Sequence, residues 1–224
     1  MVTITIYLEG GVLEGLNDAA QTSGNTSRLR EGFNKLLRQI FSEEAYNLEI
    51  KPSGGYKSAA KRFKELRADE KETVLLIDLD APKTEKPKKL EELDLVDCIK
   101  EVFFMVQEME AWILSQPDKI EQFAQEEQFI IKNEEKSVAD NNLIKGKNIE
   151  DIKKPSGRLN TIFEQHFQVI KQRRGKIPKT KKRGYGKLKD APSLLELLDL
   201  SILRNSFEDV ENLILYIQSK KEAK

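Results

Sequence analysis

Carboxylates stand at three places where a short apolar run stops: Glu9, the pair Asp78 and Asp80, and the pair Glu108 and Glu110. In Asp78-Leu79-Asp80 the two acids are two residues apart, and on an extended backbone they point to the same side. Two carboxylates ~4 Å apart repel by roughly 4 kcal/mol at an effective dielectric of 20. Four gathered together therefore need a cation or a raised pKa. Any one of these acids, taken singly, reads equally well as a solvated strand end. The chain also restricts which cation it could hold. It has one histidine, His166, and one cysteine, Cys98, too few for a structural zinc site. A metal bound here is a hard ion on oxygen donors, Mg2+ or Mn2+. Such an ion activates water and stabilises a leaving oxygen, the chemistry of phosphodiester cleavage.

A second feature is a run of charge. The formal net charge is zero, from 38 basic and 38 acidic residues, yet Lys171–Lys189 holds ten basic residues and no acid. The remainder, with 28 basic and 38 acidic residues, is an acidic body carrying one basic segment. With Gly175, Pro178, Gly184 and Gly186 inside it, the segment is expected to be a loop. Arg173, Arg174, Lys181, Lys182 and Arg183 are candidates for phosphate contacts on DNA or RNA, and Tyr185 for stacking on a base. A solvated loop or a protein-docking surface is the competing reading.

To act together the acids need a sheet whose strands end on one side. Val2, Ile4, Ile6 and Leu8 alternate with polar residues, a strand period. Helical spacing follows at Leu29, Phe33, Leu36, Leu37 and Ile40. Tyr46–Ile50 reads as a second strand and Ala59–Leu66 as a helix. Thr73–Ile77 is a continuous apolar run, as in a strand buried on both faces, and Val102–Val106 is a fourth. Alternating strands and helices predict an α/β fold with a parallel-rich sheet of about four strands in residues 1–115. Residues 116–224 are expected to be a mainly helical extension packed on that core, with helices over Leu159–Ile170 and Leu194–Leu203 and the basic loop at 171–189. In an open parallel sheet ligands sit at the carboxyl ends of the strands, where these acids fall.

Hydrophobic residues are 38% of the chain and charged residues 34%, enough apolar content for a core. No apolar run approaches the ~20 residues of a membrane span. The first residues alternate without a basic leader, so no signal peptide is expected. One cysteine permits no intrachain disulfide, and a cytoplasmic setting follows as the simplest.

The order of these motifs resembles the Toprim domain of topoisomerases, primases and overcoming-lysogenization-defect nucleases, in which a glutamate follows the first strand and an Asp-x-Asp a later one. Here those positions are Glu9, Asp78 and Asp80. Three further stretches are similar to the Toprim-like domain of unknown function family 4276: Gln107-Glu108-Met109-Glu110-Ala111-Trp112, Lys154-Pro155-Ser156-Gly157-Arg158-Leu159, and Tyr185-Gly186-Lys187. The resemblance implies a Toprim-like, Rossmann-like fold and a Mg2+/Mn2+ site on Glu9, Asp78, Asp80 and Glu110, with Glu108 a further ligand. Lys187 and Arg158 would offset charge on the phosphate. It also implies an AAA/ABC-type ATPase partner in a bacterial defence locus, and a homo-oligomer is compatible with it. Position 82 is Pro82 where topoisomerases carry a third acid, so Glu108 or Glu110 must supply it. Three functions are then in play: a metal-dependent nuclease, a catalytically silent regulatory subunit of an ATPase, and an aspartyl phosphatase with Asp78 as nucleophile and Asp80 as acid/base.

Overall fold

The protein is described here by a computed structural model covering residues 1–11, 19–68, 72–173 and 176–222. Four strands form one all-parallel sheet in the order β2-β1-β3-β4: β1 (Val2–Leu8), β2 (Tyr46–Pro52), β3 (Thr73–Asp78) and β4 (Val102–Met105). β1 and β3 are central, and every residue of β3 is buried, which explains its unbroken apolar run. Side-chain alternation sorts the two faces. Ile4, Ile6, Leu8, Val74 and Leu76 enter the larger core, while Tyr7, Leu75 and Ile77 enter the smaller one.

Helix α1 (Ala19–Arg38) follows β1 and buries Phe33, Leu36 and Leu37 in the larger core; α2 (Tyr56–Leu66) follows β2 and buries Ala59, Ala60 and Phe63 in the smaller one. The chain thus crosses from β1 to β2 over one face and from β2 to β3 over the other. The strand order reverses between β1 and β3, and this opens a crevice beyond their carboxyl ends. α3 (Lys86–Glu92) closes the smaller core through Leu90.

After β4 come α4 (Glu110–Leu114), α5 (Pro117–Glu126), the two-residue strand β5 (Ile130–Ile131) and α6 (Pro155–His166). Strands β6 (Phe167–Arg173) and β7 (Lys176–Lys182) lead to α7 (Lys187–Leu197), α8 (Leu200–Ser206) and α9 (Glu208–Glu222). Leu159, Phe163, Leu194, Leu195, Leu203 and Leu213 join the same core as α1, so the C-terminal half has no separate interior. It is mainly helical, with one correction. The stretch expected as a basic loop is instead an antiparallel hairpin, β6 on β7, with β5 as third strand. The helix expected over Leu159–Ile170 accordingly stops at His166. α7 also begins before the expected helix and runs through Pro192.

α7 lies against α1. A Cβ on Gly32 would sit 2.7 Å from the Pro192 carbonyl oxygen, so only glycine permits this approach. Polar ties reinforce it: Arg28 donates to Ser193, Lys35 to Glu196, and Gln39 to the Leu198 carbonyl. At the open edge of β4, the Phe104 N–H donates to Asp209 of α9 (3.1 Å). No helix among the described residues is long and apolar enough to cross a membrane.

Candidate functional site

Glu9 is the first residue past β1, and its Oε2 accepts the backbone N–H of Asp78 (3.0 Å). This bond joins the ends of the two central strands. Asp78 closes β3; its Oδ1 accepts the Met109 N–H (2.8 Å), and its Oδ2 lies 3.6 Å from Lys187 Nζ. Glu110, the first residue of α4, is fully buried. Its Oε1 accepts the Tyr185 hydroxyl (3.0 Å), and its Oε2 lies 3.4 Å from Lys187 Nζ. Lys187 opens α7. Three carboxylates from three separate segments thus meet one ammonium and one phenol at the crevice between β1 and β3.

The crevice holds a cavity of about 210 Å3, whose lining includes Glu9, Gly10, Gly54, Asp78, Met109 and Lys187. Gly10 and Gly54 form its turn-bearing wall. They exchange two backbone hydrogen bonds, at 2.7 and 2.9 Å, with φ of 114° and 81°, a region that favours glycine.

Burial dominates the electrostatics. It pushes the Asp78 carboxyl well above the ordinary range; the Lys187 charge opposes this, and the Glu9 and Glu110 charges add to it. Glu9 is raised by burial, lowered in part by the Asp78 N–H, and raised again by the Asp80 charge. Burial pulls Lys187 down, but Glu110, Asp78 and Glu108 outweigh it and hold the ammonium at about 12. The Tyr185 hydroxyl is raised well above its usual value by burial and by the Glu110 charge. The site therefore keeps its ammonium charged and its phenol protonated, and makes two carboxylates hard to ionise. Acids whose pKa burial has raised are candidates for proton transfer.

The segment between β7 and α7 is clamped. Arg183 makes a two-pronged bond to the buried Asp190 (2.6 and 2.7 Å) and lies over the Phe129 ring. Asp190 Oδ2 also accepts the Gly186 N–H (2.7 Å). Asn160 Oδ1 accepts the Tyr185 N–H (2.9 Å), and the Tyr185 ring packs edge-on against Phe163. These bonds set where Tyr185 and Lys187 point.

Of the expected site residues, Glu9, Asp78, Glu110 and Lys187 come together. Asp80 sits at the rim, exposed, in the left-handed region (φ 57°), its N–H bonded to the Gln107 carbonyl (2.7 Å). Glu108 turns to α6, where its Oε2 accepts the Ser156 N–H (2.7 Å) at the helix N-terminus. Arg158 is exposed on α6. Tyr185 and Arg183, expected to meet nucleic acid, are engaged inside the protein, a correction to both. Lys181 and Lys182 are exposed on β7, Arg173 ends β6, and Arg174 lies outside the described residues. Sequence reasoning missed the positioning residues Asn160 and Asp190, whose role appears only once the hairpin root is folded.

In kind, carboxylate oxygens suit a hard divalent cation. In arrangement they do not, because the Lys187 ammonium stands between Asp78 and Glu110. Among the described residues no group of three or more His, Cys, Asp and Glu is disposed to hold a metal ion.

The model of a protein family described as a domain of unknown function, DUF4276, matches residues 30–217. No curated protein and no solved structure matches the chain.

Proposed function

We infer that this chain, which belongs to the DUF4276 family, is a hydrolase of nucleic-acid phosphodiesters, with its centre at Glu9, Asp78, Glu110 and Lys187. One observation carries the reading: two carboxylates, Glu9 and Asp78, and the Lys187 ammonium from distant segments line one cavity at the strand-order switch, where α/β sheets bind ligands, and the buried Glu110 holds that ammonium from behind. Burying such charges costs stability, and groups perturbed in this way cluster at functional sites.

Lys187 presents a fixed positive charge to the phosphoryl oxygens, whose charge grows as the phosphorus becomes five-coordinate. Asp78 and Glu9, with raised pKa values, take a proton from the attacking water or give one to the leaving oxygen. Tyr185 holds Glu110, and Glu110 holds Lys187. The Mg2+ or Mn2+ dependence implied by the Toprim resemblance is a separate proposal. It rests on donor chemistry and on Asp80 at the rim, and no step above depends on it. An ATPase partner, a defence role and a cytoplasmic setting rest on the same resemblance.

The bridging of Asp78 and Glu110 by Lys187 favours a second reading, in which the pocket is structural and the chain is a non-catalytic subunit. Incubating purified protein with DNA or RNA in Mg2+, Mn2+ or chelator, beside Asp78→Asn, decides between them. Cleavage lost in the variant supports hydrolysis. Absence of any cleavage, with or without an ATPase, favours the subunit. Metal binding has its own readout: a cation at ~100 times its Kd stabilises by about 2.7 kcal/mol. The Asp78→Asn/Asp80→Asn protein loses that rise in melting temperature if these acids hold the ion.

A further inference from the structure

The basic segment is a two-stranded ribbon, and its charges face one another. Gln168 stands opposite Lys182, Val169 opposite Lys181, Ile170 opposite Thr180 and Lys171 opposite Lys179. Directly opposed residues share a face with Cβ atoms ~5 Å apart, and like charges so placed are destabilising. Lys171, Lys179 and Lys181 fall on one face, and Lys182 on the other. All four are exposed, and the salt bridges among the described residues include none of them. Ile170 is 58% exposed, but it shares its face with Gln168, Thr180 and Lys182, and Val169 shares the other with Lys171, Lys179 and Lys181, so each face is mainly polar or charged. Apart from the strand pairing itself, the ribbon touches chiefly α6 and β5 at its root. β5 pairs with Phe167 and Gln168 at the root; beyond them the ribbon is two-stranded, an arrangement that is marginal by itself in water, and it carries added repulsion that an anion would relieve.

We propose that the ribbon is an arm that lies along the phosphate backbone of a nucleic-acid duplex, a proposal that rests on the phosphodiester reading of the cavity and names its substrate class. Proteins that hold single strands combine basic residues with exposed aromatic platforms for the bases. This ribbon offers no such platform among its described side chains: Phe167 is buried, and Tyr185 at its root is bonded to Glu110. What it offers is lysine. A two-stranded ribbon also fits a groove about 12 Å wide. Its seven-residue strands span about 23 Å, roughly two thirds of a duplex turn. Phosphate contacts carry no base information, so binding is independent of sequence. The arm and the cavity are joined directly: Lys182 ends β7 and Lys187 opens α7, a separation that no chain geometry stretches beyond about 18 Å. A duplex on the arm therefore lies within reach of the cavity.

The test measures binding of the full chain to a 20-base-pair duplex, and to one of its strands, by fluorescence anisotropy in chelator from 50 to 200 mM salt. Four lysine contacts give a log–log slope near −3.6, an affinity loss of about 150-fold over that range. Lys171→Gln/Lys179→Gln and Lys181→Gln/Lys182→Gln should each flatten the slope by about 1.8. The first pair removes repulsion, so its melting temperature holds or rises. Wild-type slope and affinity in both lysine variants overturn the proposal. Tighter binding of the single strand, or equal binding of a polyglutamate peptide, overturns it too, the latter pointing to an acidic protein surface. Failure of the cavity reading looks different: no cleavage under any metal, with salt-dependent duplex binding still lost in the lysine variants.

Discussion

Replacing Lys187 with Met removes the ammonium but keeps most of the aliphatic stem. Its Nζ lies 3.6 Å from Asp78 Oδ2 and 3.4 Å from Glu110 Oε2. At those distances each attraction is about 4.6–4.9 kcal/mol at a dielectric of 20 and about 1.2 kcal/mol in bulk water. The lysine side chain is 51% exposed, so screening pulls both figures down, and partial burial of the ammonium offsets part of what remains. The expected loss is about 2–3 kcal/mol, or about 4–12 °C of melting temperature for a chain of this size.

The loss depends on pH, with a definite sign. Lys187 is raised to about 12, so its contribution is complete below the unfolded-state lysine value and disappears only as pH rises through about 12. The buried acids need that ammonium only when ionised, and Asp78 is held well above the ordinary carboxylate range. Acidification should therefore narrow the gap between variant and wild type. Differential scanning fluorimetry at pH 4.5, 6 and 8 reads this directly. A gap below about 1 °C at pH 8, or one of equal size at all three values, would refute the reasoning.

Tyr185→Phe removes the hydroxyl that bonds the fully buried Glu110 and should cost about 1–3 kcal/mol by chemical denaturation; an unchanged midpoint would mean Glu110 finds another donor. Asp190→Ala leaves Arg183 and the Gly186 N–H without their partner, for which about 3–5 kcal/mol is expected, together with loss of any cleavage, since Lys187 follows directly in the chain. Gly32→Ala drives a methyl into the Pro192 backbone and should destabilise by about 1–3 kcal/mol. Thermal melts of both proteins check these values.

The central sheet was legible because its strands are read by what they bury. Val2–Leu8 alternates between two faces and Thr73–Ile77 is covered on both, and the strands lie there. The hairpin was illegible for the opposite reason. Among its described side chains beyond Phe167 none is buried, no apolar alternation marks the sequence of Gln168–Arg173 or Lys176–Lys182, and Pro178 argues against a strand. Proline is tolerated because β7 is an edge. In the site, Glu9 and Asp78 followed from the rule that ligands gather at strand ends. Choosing between Glu108 and Glu110 needed the turn into α4, which buries one acid and sends the other to the N-terminus of α6. Lys187 was visible only through the family motif, because nothing local to Tyr185-Gly186-Lys187 says that it faces residues a hundred positions earlier.

The joining of Glu9, Asp78, Glu110 and Lys187 also has a meaning in time. At ~5–20 residues per second, the ribosome adds Lys187 roughly 10–40 seconds after Glu9. During that interval Asp78 and Glu110 lack the Lys187 ammonium, and the parallel strands have not received the cover of α7 on α1. A nascent or truncated chain that ends before α7 holds the acids without the ammonium that organises them. Any reactivity of the pocket thus waits until α7 has been made and has docked on α1.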